Sequence, residues 1–470
     1  MVTLGIDSGT QSTKAILFDL KRSRMLGSGI SPHRLLSNRN PAAKEQHPAE
    51  WIQALRLAVR KALAAAPAGT ARRVVAMAVS GQQHGFVALD GNDRVIRPAK
   101  LWCDTSTAAE AELLIRKNGG LTALLRKTGN GLPAGFTASK IFWMKKHEPW
   151  NFARLATVLL PHDYLNFWLT GEKFMESGDA SGTGFFDIRR RTWSESVLRS
   201  IDSKLFSCLP RLNPPSAAAG RLSPSSARAL GLSPGLPVGP GGGDNMMGAM
   251  GTGNVRPGVV TMSLGTSGTI YAYSERPVID PRGEVAGFCD STGGWLPLVC
   301  TMNVTIATEA MGRALGLSHH EWTRQASQVP AGSGGLRFIP YLQGERTPNL
   351  PHATASYLGL NLGNFTAGHL ARATLEGISE GLNYGFQRLR LLGIRAEEIR
   401  LTGGGARNPL WRRILARTLD VPVVKVISDE GAALGAALQA AWVVSGGGKK
   451  NLEKLTQRHV RLDPGTRCQP

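Results

Sequence analysis

Two short stretches rich in glycine, serine and threonine have the composition of phosphate-binding turns. They are residues 7–12 (DSGTQS) and residues 265–269 (GTSGT). Small residues let backbone N–H groups approach phosphate oxygens closely, and hydroxyl groups add further donors. A triphosphate held between two lobes needs donors from both sides. Two such turns in one chain therefore favour this interpretation over a pair of ordinary Gly/Ser turns.

Two acidic residues beside glycine-rich stretches are candidates for chemistry. Asp7 opens the first turn. A carboxylate cannot bind a phosphate anion itself. Next to a phosphate site, its expected role is to hold hydrated Mg²⁺. Asp244 directly follows three glycines at the predicted start of a helix. A carboxylate there is by default a cap, but it can also accept a proton from a substrate hydroxyl, and spacing alone does not decide between these roles.

A polar pair follows a predicted buried strand. Gln83 and His84 lie in residues 81–85 (GQQHG), just past a β-branched run at residues 74–79. Polar groups at the carboxyl end of a buried strand sit where α/β sheets bind ligands. We therefore predict a ligand contact here, with a buried and hydrogen-bonded His84 as the alternative.

A third glycine-rich turn lies near the end of the chain. Residues 403–405 are all glycine, and Asn408 and Pro409 follow. Three glycines permit the flat approach of a planar group such as an adenine ring. Taken alone, however, the motif favours a helix-entry turn with Asn408 as the cap and Pro409 at the first helical position.

The elements around these motifs predict an α/β layer fold with a duplicated plan. Residues 2–19 predict a strand–turn–strand hairpin, residues 74–79 a buried strand, and residues 259–273 a second hairpin of the same kind. Two halves that open in the same way predict a cleft between them. The proline-rich stretch 213–240 predicts a connection, and residues 446–470 lose their periodicity and predict a loose tail.

Composition and charge restrict the class of protein. Hydrophobic residues make up 42% and charged residues 19% of the 470 residues, which indicates a folded chain rather than a disordered one. The net charge of +21 would suit a nucleic acid or an anionic membrane. No run reaches the five or six like charges of a basic tail, so we expect no nucleic acid as a main partner.

The cysteines and the N-terminus predict the compartment. The five cysteines are odd in number, widely spaced and without a C-x-x-C pair, which disfavours a disulfide framework or a zinc ribbon. Free thiols fit a reducing cytoplasm. No basic segment followed by an apolar stretch opens the chain, so we expect no signal peptide. Because no apolar run approaches the ~18 residues of a membrane span, we expect no membrane partner.

Taken together, the motifs resemble those of one family, the FGGY carbohydrate kinases. The resemblance covers about residues 2–440, and its segments 135–147 and 356–376 are similar to the two signature patterns of the family. In chain order the segments that carry it are GIDSGTQSTK (5–14), SGQQHG (80–85), LWCDTST (101–107), GFTASKIFWMKKHEP (135–149), LLPHDYLNFWLTGE (159–172), GDASGTGFFD (178–187), GGGDNMMGAMGTG (241–253), SLGTSGT (263–269), FIPYLQGERTP (338–348), SYLGLNLGNFTAGHLARATLEGI (356–378) and LTGGGARNPLWRRILA (401–416).

The resemblance implies a two-domain α/β fold of the ribonuclease H-like, actin/hexokinase (ASKHA) type, with ATP and sugar in the interdomain cleft. It places an N-terminal domain, with the sugar site and the first phosphate turn, at residues 1–243. A C-terminal domain at residues 244–445 would carry the second phosphate turn and the adenosine loop. Residues 446–470 would remain as a short tail.

The resemblance also implies roles for individual residues. Asp244 would be the general base, Asp7 the aspartate that holds Mg²⁺ near the phosphates, and Gln83, His84 and Asn245 sugar contacts, together with Asp244. The implied ATP contacts are Thr10, Gln11, Ser12, Gly265, Thr266, Gly404, Gly405 and Asn408.

The implied reaction is ATP-dependent phosphorylation of a ketopentose. D-xylulose is the leading candidate substrate, and Mg²⁺ is the implied cofactor. Kinases of ribulose or of another ketose or polyol stay open, and so does a non-catalytic sugar or nucleotide sensor on the same fold. At the position of the Gln83–His84 pair, many of the most similar family members carry Met-His, so Gln83 is a departure. Glycerol kinases carry Arg-Glu at the same pair. The expected partners are the sugar and ATP, and the family leaves a homodimer open.

Overall fold

The computed structural model describes residues 1–428 and 430–470. The strands of the N-terminal half are β1 Val2–Ser8, β2 Ser12–Asp19, β3 Arg24–Pro32, β4 Glu45–Gln46, β5 Val74–Gly81, β6 Val87–Leu89, β7 Ala99–Lys100, β8 Thr157–Leu159, β9 Phe174–Met175, β10 Phe186–Asp187, β11 Thr192–Trp193, β12 Arg211–Leu212, β13 Gly220–Arg221, β14 Pro237–Val238 and β15 Gly242–Gly243. Its helices are α1 Pro48–Ala65, α2 Ala108–Lys117, α3 Gly120–Thr128, α4 Thr137–His147, α5 Pro149–Arg154, α6 Pro161–Thr170, α7 Ser177–Ala180, α8 Glu195–Ile201, α9 Leu205–Cys208 and α10 Pro224–Leu230.

The C-terminal half begins with a helix that leads away from the first sheet. Its helices are α11 Asp244–Gly251, α12 Thr305–Ala314, α13 His319–Gln328, α14 Ala367–Leu391, α15 Pro409–Leu419, α16 Gly431–Ser445 and α17 Lys449–His459. Its strands are β16 Gly258–Leu264, β17 Gly268–Ala272, β18 Ala286–Cys289, β19 Trp295–Thr301, β20 Arg337–Ile339, β21 Ser356–Leu358, β22 Ala396–Thr402, β23 Val423–Val426 and β24 Leu462–Cys468. Among the described residues, no helix combines the length and the apolarity needed to cross a membrane.

The two halves repeat one sheet plan, as the paired hairpins predict. In the first sheet β1, β2 and β3 are antiparallel neighbours, and β5 pairs in parallel with the other side of β1. In the second sheet β16, β17 and β19 are antiparallel neighbours, and β22 pairs in parallel with the other side of β16. The central strands β1 and β5 are buried almost throughout, which explains their continuous apolar composition. The predicted ribonuclease H-like two-domain fold is confirmed.

Helix α16 joins the two halves. It lies directly on the first sheet, because a Cβ added to Gly5 of β1 would stand 1.9 Å from the carbonyl oxygen of Ala433. It also crosses α11 closely, since a Cβ on Gly435 would stand 1.8 Å from the carbonyl oxygen of Met247. One apolar cluster therefore contains side chains of the first sheet together with side chains of α11 and α16.

Two expectations from the sequence are wrong. Residues 446–470 are not loose, because they form α17 and β24, and β24 pairs with β23 as the edge strand of the second sheet. The strand escaped notice because LDPGTRC has no apolar alternation and is held mainly by backbone pairing. The stretch 213–240 is more than a connection: it contains α10 and the strands β13 and β14, which extend the first sheet.

Candidate active site

The carboxyl ends of three parallel strands bring the acidic candidates together. Asp7 of β1 pairs in register with Ser80 of β5, and Ser80 pairs in turn with Gly242 of β15. The Ser80 hydroxyl donates a hydrogen bond of 2.8 Å to Oδ1 of Asp7. Asp244 follows β15 at the first residue of α11. Residues far apart in the chain, Asp7 and Asp244, thus stand at the same edge of the sheet.

Both carboxyls have raised pKa values. Burial, followed by the negative charges of Asp7 and Asp179, raises the pKa of Asp244 to about 7. Burial also raises the pKa of Asp7 to about 6, although the Ser80 hydroxyl and Lys14 oppose the shift. The N-cap of α11 is Gly243, and Asp244 is the first residue inside the helix, so Asp244 is not the cap. A carboxyl whose pKa lies near neutral pH is suited to accept a proton.

An amide network fixes the groups around Asp244. The Nδ2 group of Asn245 donates to Oε1 of Gln83 at 2.7 Å and to Oδ1 of Asp244 at 3.0 Å. Gln83 in turn points its Nε2 group at the sulfur of Met246, 3.2 Å away. The described residues provide no hydrogen-bond donor to the Asp244 carboxylate other than Asn245. The carboxylate therefore keeps acceptor capacity for a substrate.

His84 lies beside this network in an unusual backbone conformation. Its φ of 60° is in the left-handed region, which a non-glycine residue adopts only when its surroundings hold it there. The buried ammonium of Lys140 donates 2.6 Å hydrogen bonds to the carbonyl oxygens of His84 and Gly135. The structure therefore brings Gln83, His84, Asp244 and Asn245 into one cluster.

A network of side chains holds the first glycine-rich turn through Thr10. The Thr10 hydroxyl donates to Oε1 of Gln82 at 3.2 Å and accepts from Nε1 of Trp102 at 2.9 Å. Gln46 donates to the Thr10 carbonyl at 2.7 Å. The Thr10 hydroxyl is thus committed to the protein, contrary to its expected use as a donor to phosphate. The backbone N–H groups of Thr10 and Gln11 make no hydrogen bond within the described part of the chain.

The second turn is anchored through its carbonyl groups. The carbonyl oxygens of Gly265 and Thr266 accept hydrogen bonds of 2.9 and 3.2 Å from the backbone N–H groups of Thr305 and Val304, at the start of α12. The exposed Thr266 hydroxyl has no hydrogen-bond partner among the described residues. The N–H group of Gly265 donates within the turn, to the carbonyl oxygen of Ser267 at 3.1 Å. The Thr266 hydroxyl is therefore a donor of this turn that a phosphate could use.

The third glycine-rich turn, which the resemblance assigns to adenosine, follows β22 at the same edge as the second turn. Gly403 has a φ of 82°, and a Cβ on Gly405 would stand 2.8 Å from the ring of Trp411, so both glycines are needed for packing. Gly404 alone opens onto free space, where a flat ring can approach. Asn408 accepts from the N–H groups of Leu410 and Trp411 and caps α15, as the alternative interpretation predicted.

The two edges meet through an ion pair. Nζ of Lys14, on β2, lies 2.6 Å from Oε2 of Glu430, which precedes α16 at the edge where the parallel strands of the second sheet end. The first turn and the second turn with its adenosine loop therefore belong to edges that face one cleft.

Comparison with known proteins agrees with this geometry. Models of the N- and C-terminal domains of the FGGY family of carbohydrate kinases match residues 2–251 and 260–444. The chain belongs to the FGGY family of carbohydrate kinases. It is 43% identical over 472 residues to a xylulose kinase of Haemophilus influenzae, an alignment that covers 99% of this chain and 95% of that protein. Identity to a xylulose kinase of Streptomyces coelicolor is 40%, with coverage of 95% and 88%.

A solved structure is similar at the level of the whole fold. The xylulose kinase of Bifidobacterium adolescentis matches with a TM-score of 0.84 at 34% identity, covering 95% of this chain and 93% of that one. This FGGY chain is therefore an enzyme of the sugar kinase class with the two-domain fold of its relatives.

Several residues at the kinase site escaped the sequence reasoning. The fully buried side chains of Asp179, His162 and Asp163 form a charged row behind His84. Lys140 supports the backbone of His84. All four lie inside segments that carry the family resemblance. Only their burial, which composition does not reveal, distinguishes them from ordinary surface charges.

The residues at the FGGY site are compatible with Mg²⁺. Among the described residues, no group of three or more His, Cys, Asp and Glu side chains forms a closed metal site. Mg²⁺ commonly keeps several waters and uses one or two carboxylates together with substrate phosphates. Asp7 and Asp244 supply closely spaced negative charge that raises the pKa of Asp244. A divalent cation would offset this charge.

Proposed function

We propose that the protein transfers the γ-phosphoryl group of ATP to D-xylulose and forms D-xylulose 5-phosphate. The observation that carries this proposal is Asp244, whose carboxylate belongs to the Gln83–Asn245 network next to His84 and takes no hydrogen bond from any other described residue. The substrate is the one that the xylulose kinases of Haemophilus influenzae and Streptomyces coelicolor are named for, and these relatives match nearly the whole chain.

The proposed chemistry needs one base and several donors. Oδ2 of Asp244 accepts the proton of the terminal sugar hydroxyl while that oxygen attacks the γ-phosphorus. The bond between the γ-phosphorus and the bridging oxygen breaks, and ADP leaves. Backbone N–H groups of the two turns hold the phosphates in line. Bound Mg²⁺, held near Asp7, would neutralise charge on the β- and γ-phosphates.

The nucleotide would span both edges of the cleft. Thr10, Gln11 and Ser12 face the phosphates from the first sheet, and Gly265 and Thr266 face them from the second. Gly404 gives the adenine ring its flat surface. Gly405 and Asn408 act on the nucleotide by shaping the loop, since Gly405 packs on Trp411 and Asn408 caps α15.

A substrate screen tests this proposal. ADP release is measured with D-xylulose, ribulose, other ketoses and glycerol at equal concentrations. We expect D-xylulose to give the highest kcat/KM, and a higher value for another ketose would reassign the substrate within the class. Asp244→Ala should remove most phosphorylation, by a factor of about 10² or more, while ATP binding is retained. A near-normal kcat in this variant would contradict the role of Asp244.

We also propose a homodimer. Six large apolar side chains are exposed within residues 342–365, namely Leu342, Leu350, Leu358, Leu360, Leu362 and Phe365. Leu362 is 98% exposed, and exposed apolar side chains concentrated in one segment of the chain support association with a second copy. Light scattering after size exclusion should give a dimer mass that Leu362→Asp reduces to a monomer mass. A monomeric wild-type protein would contradict the proposed homodimer.

Cytoplasmic location stays a prediction from the sequence.

A further inference from the structure

The backbone of His84 is held at both its N–H group and its carbonyl group. Its N–H group donates to Oδ1 of Asp179 at 3.3 Å, and its carbonyl oxygen accepts from Lys140 at 2.6 Å and from Thr137 at 3.2 Å. Both donors to the carbonyl belong to α4, whereas Asp179 belongs to α7. Two helices therefore fix the position from which the imidazole projects.

The imidazole ring is also enclosed. It packs against Phe136 and Phe288, with ring centroids 4.8 and 5.5 Å away. A Cβ added to Gly182 would stand 1.9 Å from Nδ1 and Cε1 of His84, so this glycine lies directly against the ring. Phe288 belongs to the C-terminal half, and the ring thus sits where the two halves meet. Its orientation is set by packing before any ligand binds.

The two nitrogens of this ring have different surroundings. Nδ1 is buried and lies 3.4 Å from Oδ1 of Asp179, and it makes no other polar contact within the described residues. That distance is long for a hydrogen bond, but Asp179 is the acceptor within reach. Nε2 has no hydrogen-bond partner in the described part of the chain and is not among its fully buried nitrogens. It is the nitrogen that a ligand can reach.

Asp179 is kept ionised by a second histidine. Its Oδ2 lies 3.2 Å from Nδ1 of His162, and Nε2 of His162 lies 3.0 Å from Oδ1 of Asp163. Burial disfavours the charge on His162, but the two carboxylates raise its pKa well above the ordinary value. Despite burial, hydrogen bonds from His162 and His84 lower the pKa of Asp179 to about 2.

The charges that face His84 itself favour a neutral ring. Burial lowers the pKa of His84, and the positive charges of Lys140 and Arg346 act in the same direction, whereas Asp179 opposes them. A neutral imidazole carries one N–H group and one acceptor nitrogen. An ionised carboxylate beside one nitrogen decides which of the two keeps the proton.

We propose that Asp179, supported by the His162–Asp163 pair, is a positioning residue that holds His84 as the neutral tautomer protonated at Nδ1, so that Nε2 accepts a hydrogen bond from a sugar hydroxyl. The inference rests on the proposed function, because it concerns how that site reads its sugar. A hydroxyl can donate to Nε2 and a ketone carbonyl cannot. His84 therefore selects a hydroxyl-bearing carbon of the ketose and not its carbonyl group.

A double-mutant cycle tests the positioning role. Asp179→Asn should raise the KM for the ketose about tenfold in the wild-type background, with the KM for ATP unchanged. In the His84→Ala background the same substitution should change the ketose KM less than about twofold, because its effect passes through His84. Equal effects in both backgrounds, or equal shifts in both KM values, would overturn the proposal.

A matched control separates positioning from stability. Asp280→Asn also removes a buried carboxylate, which is 2.6 Å from Arg388 in the C-terminal half, away from the sugar cluster. It should lower the melting temperature as Asp179→Asn does, but leave the ratio of the two KM values unchanged. If it raised the ketose KM alone to the same extent, the effect of Asp179→Asn would be one of stability and the proposal would be wrong.

A measurement on the unmodified protein is independent of folding and of activity. Nitrogen-15 NMR of histidine-labelled protein reports which ring nitrogen carries the proton, and His84→Ala assigns the signal. We expect a neutral His84 with Nδ1 protonated, and a shift of the Nε2 resonance on adding D-xylulose. A proton on Nε2 would overturn the inference even if every ketose assay succeeded. A third outcome is that Nδ1 is protonated and the Nε2 resonance shifts on adding the sugar, but no ketose is phosphorylated. In that case the proposed function alone would fail.

Discussion

Lys14 and Glu430 form a 2.6 Å ion pair that connects the edges of two separate sheets. Lys14 follows the first phosphate turn on β2, and Glu430 stands before α16. Lys14 also acts on Asp7, whose pKa its positive charge lowers against the effect of burial. The same ammonium is thus near Asp7, the carboxyl that we propose holds Mg²⁺, and at the border of the cleft where the phosphates would lie.

We expect Lys14→Met to raise the KM for ATP about tenfold, the size of one lost charge-assisted hydrogen bond. The ketose KM should change little, and so should the melting temperature, because a partly exposed ion pair contributes only ~0–1 kcal/mol. Glu430→Gln is the matched control, since it breaks the pair but keeps the ammonium. If both variants raised the ATP KM equally, the pair itself and not Lys14 would matter to the nucleotide.

Asp244 should cost the protein stability at neutral and alkaline pH. Its folded-state pKa of about 7 lies above the ordinary value of 3.8, so the folded state holds a proton that the unfolded state has released. The penalty is absent below about pH 4, grows as the pH rises towards 7, and is complete above pH 7. Asp244→Asn removes it, because an amide does not ionise.

Urea unfolding at several pH values measures this effect. At pH 8 we expect Asp244→Asn to raise the free energy of unfolding by on the order of 1–2 kcal/mol, after discounting for the partial exposure of the side chain. At pH 4 the two proteins should be equally stable. A gain of the same size at both pH values would show that the carboxyl is not destabilised by its surroundings.

Sequence reasoning predicted the parts of the fold that depend on local pattern. The hairpin at residues 2–19, the strand at residues 74–79 and the hairpin at residues 259–273 are all present, because β-branched runs and turn residues determine such elements locally. The strand β24 was missed because backbone pairing with β23 carries it and no apolar pattern marks it.

Only those residues of the candidate site that stand next to a recognisable motif were predictable from the sequence. Asp7, His84 and Asp244 stand next to glycine-rich or strand-end motifs, so their types and positions revealed them. Asp179 and His162 act from behind the site, and what distinguishes them is burial and mutual distance. These properties arise from tertiary contacts, which residue types in one chain do not report.

Glu345 should control the second phosphate turn from a distance. Its buried carboxylate accepts 2.7 Å hydrogen bonds from the N–H groups of Met302 and Arg346 and a 3.1 Å bond from Nδ2 of Asn303. This fixes the chain just before α12, whose first N–H groups hold the carbonyls of Gly265 and Thr266.

We expect Glu345→Gln to raise the KM for ATP about tenfold, because a neutral amide is a weaker acceptor for three donors and the turn loses its register. The KM for the ketose should rise less than the KM for ATP, because Glu345 is linked to the sugar cluster only through its neighbour Arg346, whose charge acts on His84. Steady-state kinetics with each substrate varied in turn decide this. A selective rise of the ketose KM would show that Glu345 serves the sugar site instead.

The close contact of α16 with β1 makes Gly5 sensitive to substitution. A Cβ there would stand 1.9 Å from the carbonyl oxygen of Ala433 and 2.7 Å from the backbone nitrogen of Ala437, and neither backbone atom can rotate away. Gly5→Ala should therefore lower the free energy of unfolding by about 1–3 kcal/mol or more, because the helix must move off the sheet. Gly91→Ala is the control, since an added Cβ meets no atom within 4 Å there. Urea denaturation compares the two variants, and equal midpoints for both would mean that α16 does not lie against β1 as closely as described.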